Sequence, residues 1–287
     1  MELALPITVY WDLAPCAPSD DSLLRICDEI LECRPLILQL YDPSSVLNEG
    51  VCAILERFKR SSVAVSLTLS NACLSSLAET SRADLGVKEL LGACDTLDSL
   101  RDFSQISELG VAFYVNTTNW RDLPEVVSLC RERGIKRLVL PMQRLYHGEE
   151  PFLLNRENQG ILEHALVAVG GVSDFRLTIH DPFLWRAFNP GIPFPQGGCQ
   201  AANTMIAISP DGGVYPCPTF PVRLGEIGAT SLKNIILSPV KKVLRSKIVR
   251  YPASCDNCDE VAVCRGGCRG RSYVKYGSYE DVDDACR

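Results

Sequence analysis

The chain has 287 residues, 46% of them hydrophobic, and a formal net charge of -6. Its apolar content is enough for two domains of ordinary size, whereas its acidic balance argues against general nucleic-acid binding, which needs a basic surface to displace counterions from phosphates. No apolar run reaches the ~18 residues of a membrane-spanning helix, and the opening MELALPITVYWDL lacks the basic patch and apolar stretch of a secretory signal, so the cytoplasm is the expected location and no membrane partner is expected.

From residue 7 to about 198, short β-branched or apolar runs alternate with longer segments of helical period, the pattern of βα units around a parallel sheet. Strands are expected at Ile7–Leu13, Leu36–Tyr41, Val63–Leu69, Thr96–Leu97, Val111–Asn116, Arg137–Leu140 and Phe175–Ile179. Between them, Asp20–Cys33 places Leu23, Leu24, Cys27, Ile30 and Leu31 on one helical face; Asp122–Arg133 starts with a capping Asp, has Pro124 in its first turn and stops at Gly134. About six βα repeats imply an α/β fold built as an open or partial barrel. The Pro/Gly-rich run Pro190 to Gly198 marks a junction dividing residues 1–190 from a smaller unit at 191–287. That unit begins as a hairpin, Thr204–Ser209 and Val214–Tyr215 around the turn Pro210 to Gly213. A helical segment follows from Ser231 to Ile248, with a break at Pro239, and then short loops.

Fourteen cysteines without an export signal do not read as a disulfide framework. Cys27, Cys33, Cys52, Cys94 and Cys130 fall in helical stretches and read as small buried hydrophobes, while Cys73 follows a strand. Cys16, between Pro15 and Pro18, reads as a loop residue with no His or Lys beside it to lower its pKa. His147, His164 and His180 lack any paired spacing. His180 carries more weight because it ends the last expected strand, where α/β folds place their sites.

The remaining cysteines are ordered differently: Cys199-x12-Gly212-x4-Cys217, then Cys255-x2-Cys258-x5-Cys264-x3-Cys268, then Cys286. They exceed the four ligands of one tetrahedral site, so two thiolate-rich sites are the natural reading. Zinc is the alternative metal, but the clustered four lack the long spacer between two pairs that a zinc ribbon has, which favours iron-sulfur. Lys241, Lys242, Arg245, Lys247 and Arg250 form a local basic cluster, either a solvated helix face or a docking surface for an acidic peptide or partner.

The stretch Val9 to Cys16 resembles the opening strand and loop of radical SAM enzymes, where three cysteines in a C-x3-C-x2-C motif leave one iron open for S-adenosylmethionine. Here those positions are Cys16, Asp20 and Leu23, and the family's Gly-Gly-Glu turn after the second strand is replaced by Tyr41-Asp42-Pro43-Ser44. The resemblance therefore implies a degenerate (β/α)6 partial barrel that does not cleave S-adenosylmethionine. Residues 199 to 286 resemble the SPASM domain of peptide-modifying radical SAM enzymes at all seven cysteines, with Leu224 to Ile227 and Ser231 to Ile236 similar between the two cysteine groups.

That resemblance implies one auxiliary 4Fe-4S cluster on Cys255, Cys258, Cys264 and Cys286, and a second on Cys199, Cys217 and Cys268. Some members add a cysteine soon after the first, and Gln200 to Ile206 contains none. An open iron, a water or non-cysteine ligand, or a cluster of different nuclearity is left at the second site. Arg265, Arg269 and Arg271 would offset the negative charge of thiolate-bound iron. The combination resembles the SPASM-domain partner proteins of GeoRSP systems, which implies an accessory role beside a complete radical SAM/SPASM enzyme, a small peptide chaperone and a peptide substrate. An enzyme using the three-cysteine cluster to activate a substrate, or a purely structural metal module, are the alternatives.

Overall fold

In β1 (Thr8–Asp12) alternate residues separate two environments: Val9 and Trp11 are fully buried under helices, whereas Tyr10 lines the concave side of the sheet. The computed structural model describes residues 2–17, 19–77, 84–103, 109–145, 148, 150–195 and 197–286. β1 is followed by α1 (Asp21–Cys33), β2 (Ile37–Asp42), α2 (Glu49–Phe58), β3 (Ala64–Ser70), α3 (Asn71–Ser76), β4 (Glu89–Cys94), α4 (Leu97–Arg101), β5 (Gly110–Phe113), α5 (Leu123–Glu132), β6 (Arg137–Leu140), α6 (Arg156–Ala168), β7 (Arg176–Ile179) and α7 (Pro182–Phe188). Each of β1 to β7 pairs in parallel with the next, so the expected α/β partial barrel is the observed architecture. Among the described residues no helix is long and apolar enough to cross a membrane.

The sheet does not stop at the Pro190–Gly198 junction. β8 (Met205–Ile208) pairs in parallel with β1, with Thr8 opposite Met205, and then antiparallel with β9 (Gly213–Tyr215), which pairs with β10 (Gly225–Glu226). The result is one open ten-stranded sheet running from β10 to β7. The expected hairpin forms around Gly212, and its first strand docks onto the barrel's first. Beyond it come α8 (Leu232–Leu237), α9 (Pro239–Ile248), α10 (Val261–Cys264) and α11 (Arg269–Tyr276). Ser231 and Ser238 cap α8 and α9 through bonds to Asn234 N and Lys241 N, and the break falls at Pro239, which cannot continue a helix but suits its first turn.

Several local expectations are corrected. The strand expected at Thr96–Leu97 lies at Glu89–Cys94; Thr96 is the N-cap of α4, its Oγ1 accepting from Ser99 N. Glu-Leu-Leu-Gly-Ala-Cys has no β-branched residue, and Gly92 is required because a Cβ there would enter the Phe103 ring. Asp122 precedes α5 but its side chain caps nothing, since a 3-10 turn from Trp120 already feeds the helix. Cys27, Cys33, Cys73, Cys94 and Cys130 are buried, Cys94 at a strand end, but Cys52 is exposed, opposite the α2 face formed by Val51, Ile54, Leu55 and Phe58.

Of the basic cluster, Lys241 and Arg245 turn inward: Lys241 pairs with Glu2 at 3.2 Å, and Arg245 donates to the carbonyls of Cys199 and Ala201 at 2.9 and 3.0 Å. Only Lys242, Lys247 and Arg250 remain on the outer face.

Candidate iron-sulfur sites and the degenerate barrel mouth

At the C-terminal ends of β1 and β2 the chain assembles a hydrogen-bonded plug. Asp20 is the N-cap of α1, accepting from Leu23 N at 2.9 Å, and Leu23 packs into the core. Buried Asp42 accepts from Ser44 N, Ser44 Oγ and Asn48 Nδ2, while Ser44 Oγ accepts from Cys16 N at 2.8 Å. Of the three positions where the radical SAM motif carries cysteines, one is an exposed thiol, one a helix cap and one a core leucine. Inside the barrel, Arg144 binds both Asp12 oxygens at 2.8 and 3.1 Å and lies 4.9 and 5.1 Å from the ring centres of Tyr41 and Tyr114. The space left there is ≈ 50 Å³, far below the ~300 Å³ of the smallest usual small-molecule pockets.

The C-terminal cysteines surround two other spaces. Cys199, Cys217, Cys264 and Cys268 line a cavity of ≈ 340 Å³ that also reaches Ile179 and His180 at the end of β7. Cys255, Cys258, Cys264 and Cys286 line a small neighbouring cavity. Cys264 lies on the wall between the two spaces, with Cys199, Cys217 and Cys268 bordering the larger one and Cys255, Cys258 and Cys286 the smaller. Among the described residues no three His, Cys, Asp or Glu side chains converge tightly enough on a single metal ion; the thiols are arranged around spaces, and in a cluster each thiolate binds a different iron.

Local backbone prepares these sulfurs. Arg265, Gly266 and Gly267 have φ of 54°, 92° and 72°, three successive left-handed residues that turn the amides of Gly266 and Gly267 toward Cys264. The amides of Thr219 and Phe220 serve Cys217, and that of Arg271 serves Cys268. Such bonds stabilise thiolate and raise cluster potentials. As bare thiols the buried groups resist ionisation: burial, then neighbouring Cys199 and Cys268, pushes Cys217 well up, and burial pushes Cys268 to about 12. Metal binding must displace these protons.

Two arginines test whether a cluster fits. Arg269 is 1% exposed and lies within electrostatic reach of Cys199, Cys255 and Cys268, between the two sets. Its Nη1 donates to Asp281 O at 3.1 Å, but among the described residues its Nε has no acceptor, nor has Nε of Arg245, whose Nη1 donates to the Cys199 carbonyl. Buried donors of this kind need an acceptor, and the sulfurs of an anionic cluster supply them. The residues therefore fit the group.

Gly267 is expected to be indispensable to this arrangement. A Cβ there would stand 2.6 Å from Asp283 Cβ and 3.1 Å from the Phe183 ring, so Gly267→Ala should destabilise by ~1–3 kcal/mol from overpacking. Gly277→Ala, at a similar φ of 67° but in open space, serves as the control. Chemical unfolding under anaerobic conditions measures both, and equal losses would refute the steric account.

His180 is brought to the larger cavity; His164 is exposed on α6, and His147 lies outside the described residues. The family model for SPASM, an iron-sulfur cluster-binding domain, matches residues 199–259, a span that includes Cys199, Cys217, Cys255 and Cys258. No curated protein matches the chain. Among solved structures, the chain is similar to SuiB of Streptococcus suis bound to precursor peptide SuiA, with a TM-score of 0.68 and 16% identity over 100% of this chain and 77% of that one. It is also similar to anSMEcpe with bound AdoMet, with a TM-score of 0.62 and 14% identity over 96% and 89% of the two chains. At these identities the likeness is one of fold: a radical SAM-like α/β sheet followed by a SPASM region.

Proposed function

We propose that this chain is an iron-sulfur accessory protein that works with a separate radical SAM/SPASM enzyme in the maturation of a ribosomally made peptide. Residues 191–287 would hold two auxiliary clusters, of the 4Fe-4S type by resemblance to the SPASM pattern, on Cys255, Cys258, Cys264 and Cys286 and on Cys199, Cys217 and Cys268. Residues 1–190 would be a scaffold for docking the enzyme, the peptide or a small peptide chaperone. One contrast carries the reading: the cysteines of the SPASM region are grouped around two spaces, while the barrel mouth has a helix cap and a core leucine in place of two cysteines. When bound, such clusters supply one-electron transfer. The chain's own part is to hold them apart from solvent, with Arg269 between them and backbone amides on the thiolates. SuiB was crystallised with a precursor peptide, which supports a peptide as the molecule handled.

Anaerobically purified protein is expected to carry about eight irons in two reducible 4Fe-4S clusters, to leave S-adenosylmethionine intact, and to increase the activity of the partner enzyme. Tightly bound zinc without iron would falsify the cluster assignment. A partner enzyme equally active without this chain would remove the accessory role. The ≈ 340 Å³ cavity beside Cys199, Cys217 and Cys268 favours a second reading, in which the chain activates a substrate at that cluster; turnover by this chain alone would identify it.

A further inference from the structure

The second cysteine set supplies three thiolates, and the wall of its cavity contains a fourth donor. Alternate residues of β7 face the barrel interior, so Thr178 and, one residue past the strand, His180 share a side with Tyr10 of β1. Asp181 and Pro182 then end the strand: the Asp181 carboxylate accepts from Phe183 N and Leu184 N at 2.8 and 2.9 Å, and Pro182 occupies the first turn of α7. This fixes His180 where the interior opens into the ≈ 340 Å³ cavity, on the walls of both spaces.

Among the described residues, the other oxygen-bearing side chains on the wall already have partners. Asp181 uses its second oxygen on Arg271; Gln143 Oε1 accepts from Phe152 N, and Gln200 Oε1 from Asn203 Nδ2. Thr219 Oγ1 donates to the Gln143 carbonyl, and the thioethers of Met142 and Met205 are neutral, weak donors to iron. His180 is held at one nitrogen only, with Nε2 3.2 Å from Tyr10 Oη; among the described residues Nδ1 has no hydrogen-bond partner. A histidine that binds metal through one nitrogen characteristically donates the other N–H to an oxygen that orients the ring, and Tyr10 is placed for that. Tyr10 also lies within electrostatic reach of Cys217, a member of the three-cysteine set.

We infer that His180, through Nδ1, is the non-cysteine ligand of the cluster held by Cys199, Cys217 and Cys268, with Tyr10 as the acceptor that orients its ring. The inference rests on the cluster reading above and replaces an open iron with a closed, histidine-tuned one.

The test uses the full chain purified anaerobically, with its histidines isotopically labelled at nitrogen, and reads the reduced protein by pulsed electron paramagnetic resonance beside its iron and sulfide content. The wild type is expected to show a strong histidine-nitrogen coupling from one of two clusters. His180→Ala should lose it, and added imidazole should restore a nitrogen coupling from the unlabelled ligand. Should His180→Ala shed the cluster, His180→Cys keeps the question open to measurement: four thiolates should return iron to the wild-type level with no histidine coupling. Two clusters in the wild type without that coupling, or a coupling unchanged in His180→Ala, would overturn the assignment and leave the accessory reading standing. A wild type free of iron would overturn both.

Discussion

Arg271→Met should destabilise the protein by ~3–5 kcal/mol, the cost of removing one partner from a buried ion pair. Arg271 is 3% exposed, in the first turns of α11, and its guanidinium contacts both oxygens of Asp283, at 2.6 Å in the shortest contact, as well as Asp181 at the cap of α7. Asp283 is fully buried. Without the arginine it keeps its bonds from Cys268 N and Ala285 N, but its charge has lost its cation, and the tail has lost its buried ionic link to the barrel. Arg271→Lys should recover only part, because a point charge cannot span two carboxylates as a planar fork does. Arg57→Ala provides the scale: its pair with Asp28 is about half exposed on both sides, and such pairs contribute ~0–1 kcal/mol. Adding Asp283→Asn to Arg271→Met should cost less than the sum of the two changes, since it removes the uncompensated charge. Denaturant unfolding measures these variants together with Asp283→Asn alone. A loss from Arg271→Met no larger than that from Arg57→Ala would show that the tail is held by something else.

Most of the barrel was legible because it depends on local spacing. Val9 and Trp11, Leu38 and Leu40, or the helical face of α1 repeat with the period of their element, and one period reports one buried face. β4 was not legible, since Leu90, Leu91, Ala93 and Cys94 become strand residues only through burial between β3 and β5. Lys241 and Arg245 read as surface charge until α9 turned them toward Glu2 and the Cys199 carbonyl. Their i, i+4 spacing, in register with Leu244 and Ile248 on the buried face of α9, was the available signal. Likewise His180 drew weight from its place at a strand end, but its sharing a cavity with Cys217 depends on β8 adding to β1 across the junction, a long-range pairing that no local pattern specifies.

Cys258→Ala should remove about half of the iron, leaving one four-iron cluster, and should expose residues 255–264 to protease. The reason lies in what fills this tail. α10 has no buried residue, and the most buried side chains of the segment are Arg269, Arg271, Ser272 and Asp283, beside little more than Cys255, Val282 and Ala285. An interior built on charge gives little hydrophobic driving force, so its folding free energy must come from metal ligation, as in other small metal-dependent units. Arg269 sharpens the effect: with one cluster gone, a cation buried beside Cys255 and Cys268 loses part of the negative charge that makes its burial tolerable. Cys130→Ala, in the core beneath α5, should leave iron and sulfide at the wild-type level while costing some stability from its small cavity. The surviving signal in Cys258→Ala is expected to be that of the Cys199, Cys217 and Cys268 cluster, because β8 and β9 hold Cys199 and Cys217 on the barrel and Arg271, bound to Asp181, ties the start of α11 beside Cys268 to it. Equal iron loss from the two variants would abolish the division between core thiols and ligands. Loss of both clusters in Cys258→Ala would instead mean that Cys268, the one ligand of the second set supplied by the tail, cannot hold its place without the first cluster.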